Sequence, residues 1–261
     1  MDEKLDCYSD REFDDALWDL VRKNAIGCAP VKPSSPTAYL LGGQSGAGKT
    51  ALHAILKESL DNNAVVINGD TYRKFHPHFE ELEHEYGKES VEHTAVWAGK
   101  MTEALIEYFS SLGYNLVIEG TLRTAEVPLA TATLLRERGY DVSLALMAVK
   151  PEISLVSCQL RYEQMRLAGT TPRATDPAHH RKIVDQIVRN LAVLENSGMF
   201  DQIYLYNRAR ECLYPQEGLA MTASQMLEET LFGNWSEDEF KHYASLKTEL
   251  EMLSAKSSHA S

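Results

Sequence analysis

The chain has 261 residues, 44% of them hydrophobic and 25% charged. That is enough apolar material for a sizeable core, which excludes a disordered chain. Lys and Arg number 26 against 38 Asp and Glu, and the net charge of −12 argues against general affinity for nucleic acid or anionic membrane while leaving room for a small basic pocket.

The start, Met1 to Asp6, has no basic and then apolar stretch of the secretory kind. No apolar run approaches the ~20 residues of a membrane helix. Cys7, Cys28, Cys158 and Cys212 lie far apart and form no CxxC pair, so reduced thiols and a cytoplasmic setting are expected. Phe13, Ala16, Leu17, Leu20 and Val21 recur at helical spacing, which predicts an amphipathic helix over 10–24. The Pro/Ser stretch Ala29 to Pro36 reads as a linker. Short apolar runs predict five strands: 38–41, 64–67, 115–118, 142–149 and 203–206. Helical patterns fall at 49–60, 90–111, 126–138, 151–168, 177–197 and 221–231, with Pro128 and Pro151 in first turns. Ser236 with Glu239 forms a capping box that opens a last helix to about Leu253, and 254–261 reads as a frayed end. Buried strands alternating with helices imply an α/β fold with a mostly parallel five-stranded sheet and helices on both faces. Residues 1–37 thus read as a helix and linker, 38–232 as the core, and 233–261 as a C-terminal helix and tail.

The strongest signal is Gly43-Gln44-Ser45-Gly46-Ala47-Gly48-Lys49-Thr50, which matches GxxxxGK followed by Ser or Thr. Glycines allow a turn whose N–H groups converge on phosphate oxygens, and the helix that follows points its positive end at the anion. Lys49 is suited to the β- and γ-phosphates and the Thr50 hydroxyl to Mg²⁺. A chance match in this length is on the order of 1%, and a strand precedes and a helix follows, as the motif requires. A nucleoside triphosphate is the expected ligand, within a P-loop NTPase three-layer sandwich. The guanine-selecting Asn-Lys-x-Asp is absent, as is an apolar strand ending in Asp-Glu; both point to a kinase.

In a parallel sheet, ligands sit beyond the carboxyl ends of the strands. Two strands end in acids, Asn68-Gly69-Asp70-Thr71 and Glu119-Gly120-Thr121. Asp70 and Glu119 are expected to point into the crevice above the phosphate loop, where a carboxylate can take a hydroxyl proton or hold the metal. The competing reading makes each a cap for the next helix. Arg161 and Arg173 fit the role of lid cations that stabilise charge on a transferring phosphoryl group; Arg166, Arg181 and Arg189 compete for it. His76, His78, His84 and His93 lack the spacing of a zinc pair, and His179-His180 reads as a surface pair. The run Glu80 to Glu85 reads as a solvated helix face.

Taken together, Gly42 to Thr50, Asp70-Thr71-Tyr72-Arg73 with His76-Pro77-His78-Phe79, Glu119-Gly120-Thr121-Leu122-Arg123-Thr124, Arg161-Tyr162-Glu163 and Arg173-Ala174-Thr175 resemble the zeta toxins, kinase components of bacterial toxin–antitoxin systems. The resemblance runs from about residue 38 to 232. It implies transfer of a phosphoryl group from ATP or GTP, with Mg²⁺, to the 3′-hydroxyl of the aminosugar of UDP-N-acetylglucosamine, which blocks cell-wall precursor synthesis. It also implies roles: Asp70 as general base; Lys49, Arg161 and Arg173 on the phosphates; Thr50 on Mg²⁺; and Glu103, Glu119, Thr121, Arg123 and Thr131 along the sugar nucleotide. The partner implied is a small helical antitoxin that covers the ATP site. From the residues alone, a kinase for another small hydroxyl substrate and a nucleotide-dependent interaction module remain open.

Overall fold

A computed structural model describes residues 5–31, 34–170, 174–218 and 220–258. In chain order the elements are α1 (Asp10–Asn24), β1 (Thr37–Gly42), α2 (Lys49–Glu58), β2 (Val65–Ile67), α3 (Gly69–Tyr72), α4 (Phe79–Tyr86), α5 (Ser90–His93), α6 (Ala95–Leu112) and β3 (Leu116–Glu119). There follow α7 (Glu126–Glu137), β4 (Asp141–Met147), α8 (Pro151–Leu167), α9 (Pro177–Asn196), β5 (Gln202–Tyr206), β6 (Cys212–Tyr214), α10 (Ala223–Phe232) and α11 (Glu237–Ser258). The alternation is that of an α/β fold with mostly parallel strands.

The chain forms two compact units. One comprises Met1–Tyr39, Ile55–Glu119 and Leu135–Asp141. Here β2 and β3 pair in parallel, with Val65 opposite Leu116 and Ile67 opposite Ile118. The core is built on α6, whose Trp97, Met101, Leu105 and Phe109 are fully buried. Helix α1 lies along α6 and adds Phe13, whose ring meets Trp97 edge-on at 5.4 Å. Its entry is a capping box of Ser9 and Glu12. The Pro/Ser stretch is tied into this unit: Ala29 N–H donates to Asn63 Oδ1 at 2.7 Å and Val31 N–H to the Gly113 carbonyl at 3.0 Å.

The second unit comprises Leu40–Ala54, Gly120–Leu134 and Val142–Ser261. Its β4 and β5 are parallel, with Leu144 opposite Ile203 and Leu146 opposite Leu205. Helix α11 packs along α8, and Gln164 Nε2 donates to Glu249 at 3.1 Å. Lys150, 1% exposed, donates its ammonium to the Gly233 carbonyl at 2.8 Å, where α10 ends. A cation at a helix C-terminus meets the negative end of the helix dipole.

Three expectations need correction. Six strands, not five, occur among the described residues; β6 is a three-residue strand antiparallel to β5, too short to show a periodicity. The helix expected over 90–111 is interrupted at Thr94, whose buried hydroxyl donates to the Ser90 carbonyl and accepts from Arg73. Such side-chain bonds compete with the helical ladder. The end expected to fray from Ser254 is helical to Ser258.

Candidate functional site: a phosphate loop and two strand-end acids

In the first unit, the parallel register that sets Ile67 opposite Ile118 brings the next residues, Asn68 and Glu119, side by side. Asn68 Nδ2 donates to Glu119 Oε2 at 2.9 Å, while Asn68 Oδ1 accepts the Asp70 N–H at 3.1 Å as the N-cap of α3. One amide side chain therefore sets both acids. The Asn68 N–H donates to the Tyr72 hydroxyl at 3.2 Å, and Asn24 of α1 donates to the same oxygen at 3.2 Å. Asp70 stays well exposed. Arg73 reaches it with Nε at 3.3 Å, and Nη1 anchors that guanidinium on the Val91 carbonyl at 2.6 Å and Thr94 Oγ1 at 3.0 Å. Glu103 is exposed on α6.

His76 is buried against Trp97 and Tyr8, and burial lowers its pKa. Among the described residues no group of three or more His, Cys, Asp or Glu is arranged to hold a metal.

In the second unit, Gly43 to Thr50 links β1 to α2. Gly46 has φ +76°, and a methyl group there would run into the Ser154 carbonyl oxygen and come within 2.6 Å of the Cys158 sulfur. Glycine is thus required both for backbone conformation and for space. Lys49 is buried; its Nζ donates to the Gly43 carbonyl at 2.8 Å and the Gln44 carbonyl at 3.3 Å. Thr50 is exposed in the first turn of α2, so its hydroxyl is placed to serve as an oxygen ligand for a hard cation.

The loop is held from behind. Gln44, fully buried, donates through Nε2 to the Val149 carbonyl at 2.7 Å and to Ser154 Oγ at 3.2 Å. Ser154 Oγ in turn lies 2.9 Å from His180 Nε2. His180 is 3% exposed, which overturns its reading as a surface residue. It lies on the inward face of α9, whose N-terminus Asp176 caps. Burial, and then the charges of His179 and Lys49, lower its pKa and keep the ring neutral.

The loop from β3 to α7 presents two candidates. Leu122 has φ +54° and is buried; its carbonyl accepts from Asn190 Nδ2 at 2.8 Å. A left-handed non-glycine residue is costly and persists only where its surroundings enforce it. Leu122 turns inward as the anchor, and its neighbours lie outward, Thr121 half-buried and Arg123 exposed. Thr131 donates to the Val127 carbonyl of its own helix at 3.0 Å. Arg161 is exposed on α8. It sits three and four residues beyond Cys158 and Ser157, and so continues the helix face that meets the phosphate loop. Of its competitors, Arg166 is paired with Glu163 at 3.1 Å. Arg173 lies outside the described residues.

A family model described as Zeta toxin matches residues 23–218. The chain belongs to the zeta toxin family. It is similar to Toxin PezT of Streptococcus pneumoniae serotype 4, at 47% identity over 233 residues, covering 89% of this chain and 91% of that protein. It is 40% identical over 226 residues to Toxin zeta of Streptococcus pyogenes, covering 86% and 78%. A solved structure from a study of the PezAT chromosomal toxin–antitoxin system of Streptococcus pneumoniae superposes with a TM-score of 0.86 at 43% identity, covering 96% of this chain and 99% of that one. As a zeta toxin, the chain is a toxin-type kinase with the P-loop kinase fold. None of its described helices is long and apolar enough to cross a membrane.

Sequence reasoning missed Asn68, Ser154 and His180. Each is an uncharged or neutral side chain that acts on a neighbour. Only the parallel pairing of strands ending Ile67-Asn68 and Ile118-Glu119 carried a usable signal, for Asn68.

Proposed function

We propose that this zeta toxin transfers the γ-phosphoryl group of ATP or GTP to the 3′-hydroxyl of the aminosugar of UDP-N-acetylglucosamine, in the cytoplasm. The observation that supports it most is that the chain carries, besides a phosphate loop, an exposed Asp70 whose backbone and carboxylate are both fixed, by Asn68 and Arg73. A switch protein has no need of an oriented base. Asp70 takes the proton from the sugar hydroxyl as its oxygen attacks the γ-phosphorus, and the nucleoside diphosphate leaves. Lys49, Arg161 and Arg173 neutralise charge on the transferring group. Glu103, Glu119, Thr121, Arg123 and Thr131 line the sugar nucleotide. Thr50 would be the protein oxygen that holds Mg²⁺, and the ion would supply positive charge to the transferring phosphoryl group. The product cannot serve as a wall precursor, so a small helical antitoxin that covers the ATP site is the expected partner. The similar toxin of the PezAT system supports that expectation.

The deciding experiment incubates the full chain, ATP and Mg²⁺ with a panel of hydroxyl-bearing metabolites and reads masses. One added phosphoryl group on UDP-N-acetylglucosamine alone is expected. Asp70→Ala should lower its rate by several orders of magnitude with ATP binding intact. Phosphorylation of a different metabolite would overturn the substrate, and unchanged turnover in Asp70→Ala would remove the base.

A further inference from the structure

Arg208 belongs to no motif singled out above, and the roles just proposed leave it unused. It stands in the loop joining β5 to β6. Asn207 braces that loop: its Oδ1 accepts the Glu211 N–H at 3.0 Å and its Nδ2 donates to the Glu211 carboxylate at 2.6 Å. From there the Arg208 guanidinium reaches back to the phosphate loop. Nη2 donates to the Gly46 carbonyl oxygen and, at 2.7 Å, to Ser157 Oγ on α8. Nη1 lies 3.3 Å from Nε2 of His242 on α11. A guanidinium only donates, so His242 Nε2 accepts and the ring proton sits on Nδ1. Burial and the Arg208 charge lower the pKa of His242, in keeping with a neutral ring.

A phosphate loop works by turning its N–H groups inward, which obliges carbonyls to turn outward. Glycine adopts φ of either sign with similar ease, so hydrogen bonds carry more of the task of fixing the peptide planes beside it. The Gly46–Ala47 peptide is gripped at both ends: its carbonyl by Arg208, and its N–H by the Gln44 carbonyl at 3.2 Å. We propose that Arg208 is a positioning residue that locks this peptide for triphosphate binding. The C-terminal helix, through His242, holds Arg208 in place, so that α11 sets the affinity of the nucleotide site. The inference rests on the reading that the loop binds a nucleoside triphosphate.

The test titrates the full chain, with Mg²⁺, against a fluorescent ATP analogue, and competes that probe with ATP and with inorganic tripolyphosphate. Arg208→Gln should weaken both competitors tenfold or more, and Arg208→Lys should recover part of the loss. Exposed His242 gives a second handle that spares the fold. His242→Ala should weaken both about threefold, while His242→Gln, whose amide oxygen can accept the same bond, should match the parent. A role confined to stability would lower Tm in Arg208→Gln without changing either affinity, and that result overturns the proposal. Loss of ATP but not of tripolyphosphate binding also overturns it, since Arg208 would then touch the base. Parental binding in His242→Ala overturns the part given to α11. If the parent itself binds neither competitor, the nucleotide reading falls and this inference with it; a parent that binds both isolates the role of Arg208.

Discussion

Asn68 performs two tasks that a pair of substitutions can separate. Asn68→Ala removes the N-cap bond to Asp70 N–H, worth about 0.5–2 kcal/mol, and the bond to the Glu119 carboxylate, worth about 1.5–3 kcal/mol. Because one side chain makes both, the losses do not simply add, and a total of about 2–4 kcal/mol is expected. Asn68→Asp keeps the cap, since Asp and Asn cap about equally well. It replaces the donor at 2.9 Å from Glu119 with a second carboxylate. Two such charges in an effective dielectric of about 20 repel by about 6 kcal/mol before relaxation. Side-chain rotation and water at this half-exposed position reduce that to about 1–3 kcal/mol. Urea unfolding of the parent and both variants gives the stabilities, and nucleotide consumption with UDP-N-acetylglucosamine gives kcat and KM. Asn68→Asp should lose at least tenfold in kcat, with ATP affinity unchanged, because the carboxylate it displaces is the one proposed to line the sugar nucleotide. A folded Asn68→Asp protein with parental kcat would refute the reasoning.

Other outcomes follow from particular contacts. Gly46→Ala should abolish ATP binding in a titration while the chain remains folded, because the new methyl collides with the Ser154 carbonyl and the Cys158 sulfur; retained affinity would mean the loop can retreat. Lys150→Met leaves the Gly233 carbonyl without its charged donor and should cost about 1.5–3 kcal/mol in urea unfolding; an unchanged midpoint would show that water replaces the amine. His76, His180 and His242 all have pKa values lowered by burial. The unfolded chain therefore binds more protons, and stability present above about pH 6.5 is lost as the pH falls below it. His180→Gln should flatten that loss between pH 7 and pH 5.5, and an identical slope in the variant would remove His180 as a contributor.

The strands and long helices were legible in the sequence because their signal is periodic and their ends are marked. Pro151 and Pro177 open α8 and α9, and the Ser236–Glu239 box opens α11 as expected: the Ser236 N–H donates to Glu239 at 2.7 Å and the Glu239 N–H to Ser236 at 3.2 Å. The segment 69–94 was not legible. It is cut into pieces of a turn or two, and its breaks depend on Arg73 reaching Thr94 across 21 positions. The phosphate loop was legible because its chemistry is written in consecutive residues. Its supports were not: His180 beside His179 looks like any solvated pair until α9 turns it toward Ser154. Arg208 lies 162 residues from Gly46, and only the fold joins them.

The ammonium of Lys49 already donates to two carbonyls of its own loop. An incoming anion competes with those carbonyls for the ammonium, so part of its attraction offsets bonds already made. A ligand with one phosphate offers a single charged group in competition with them. A triphosphate with its metal offers several oxygens and more charge at the same place. Those two carbonyls therefore set the same handicap for every anion that approaches Lys49. On the proposed reading, free phosphate overcomes it least well, and the loop favours a triphosphate donor.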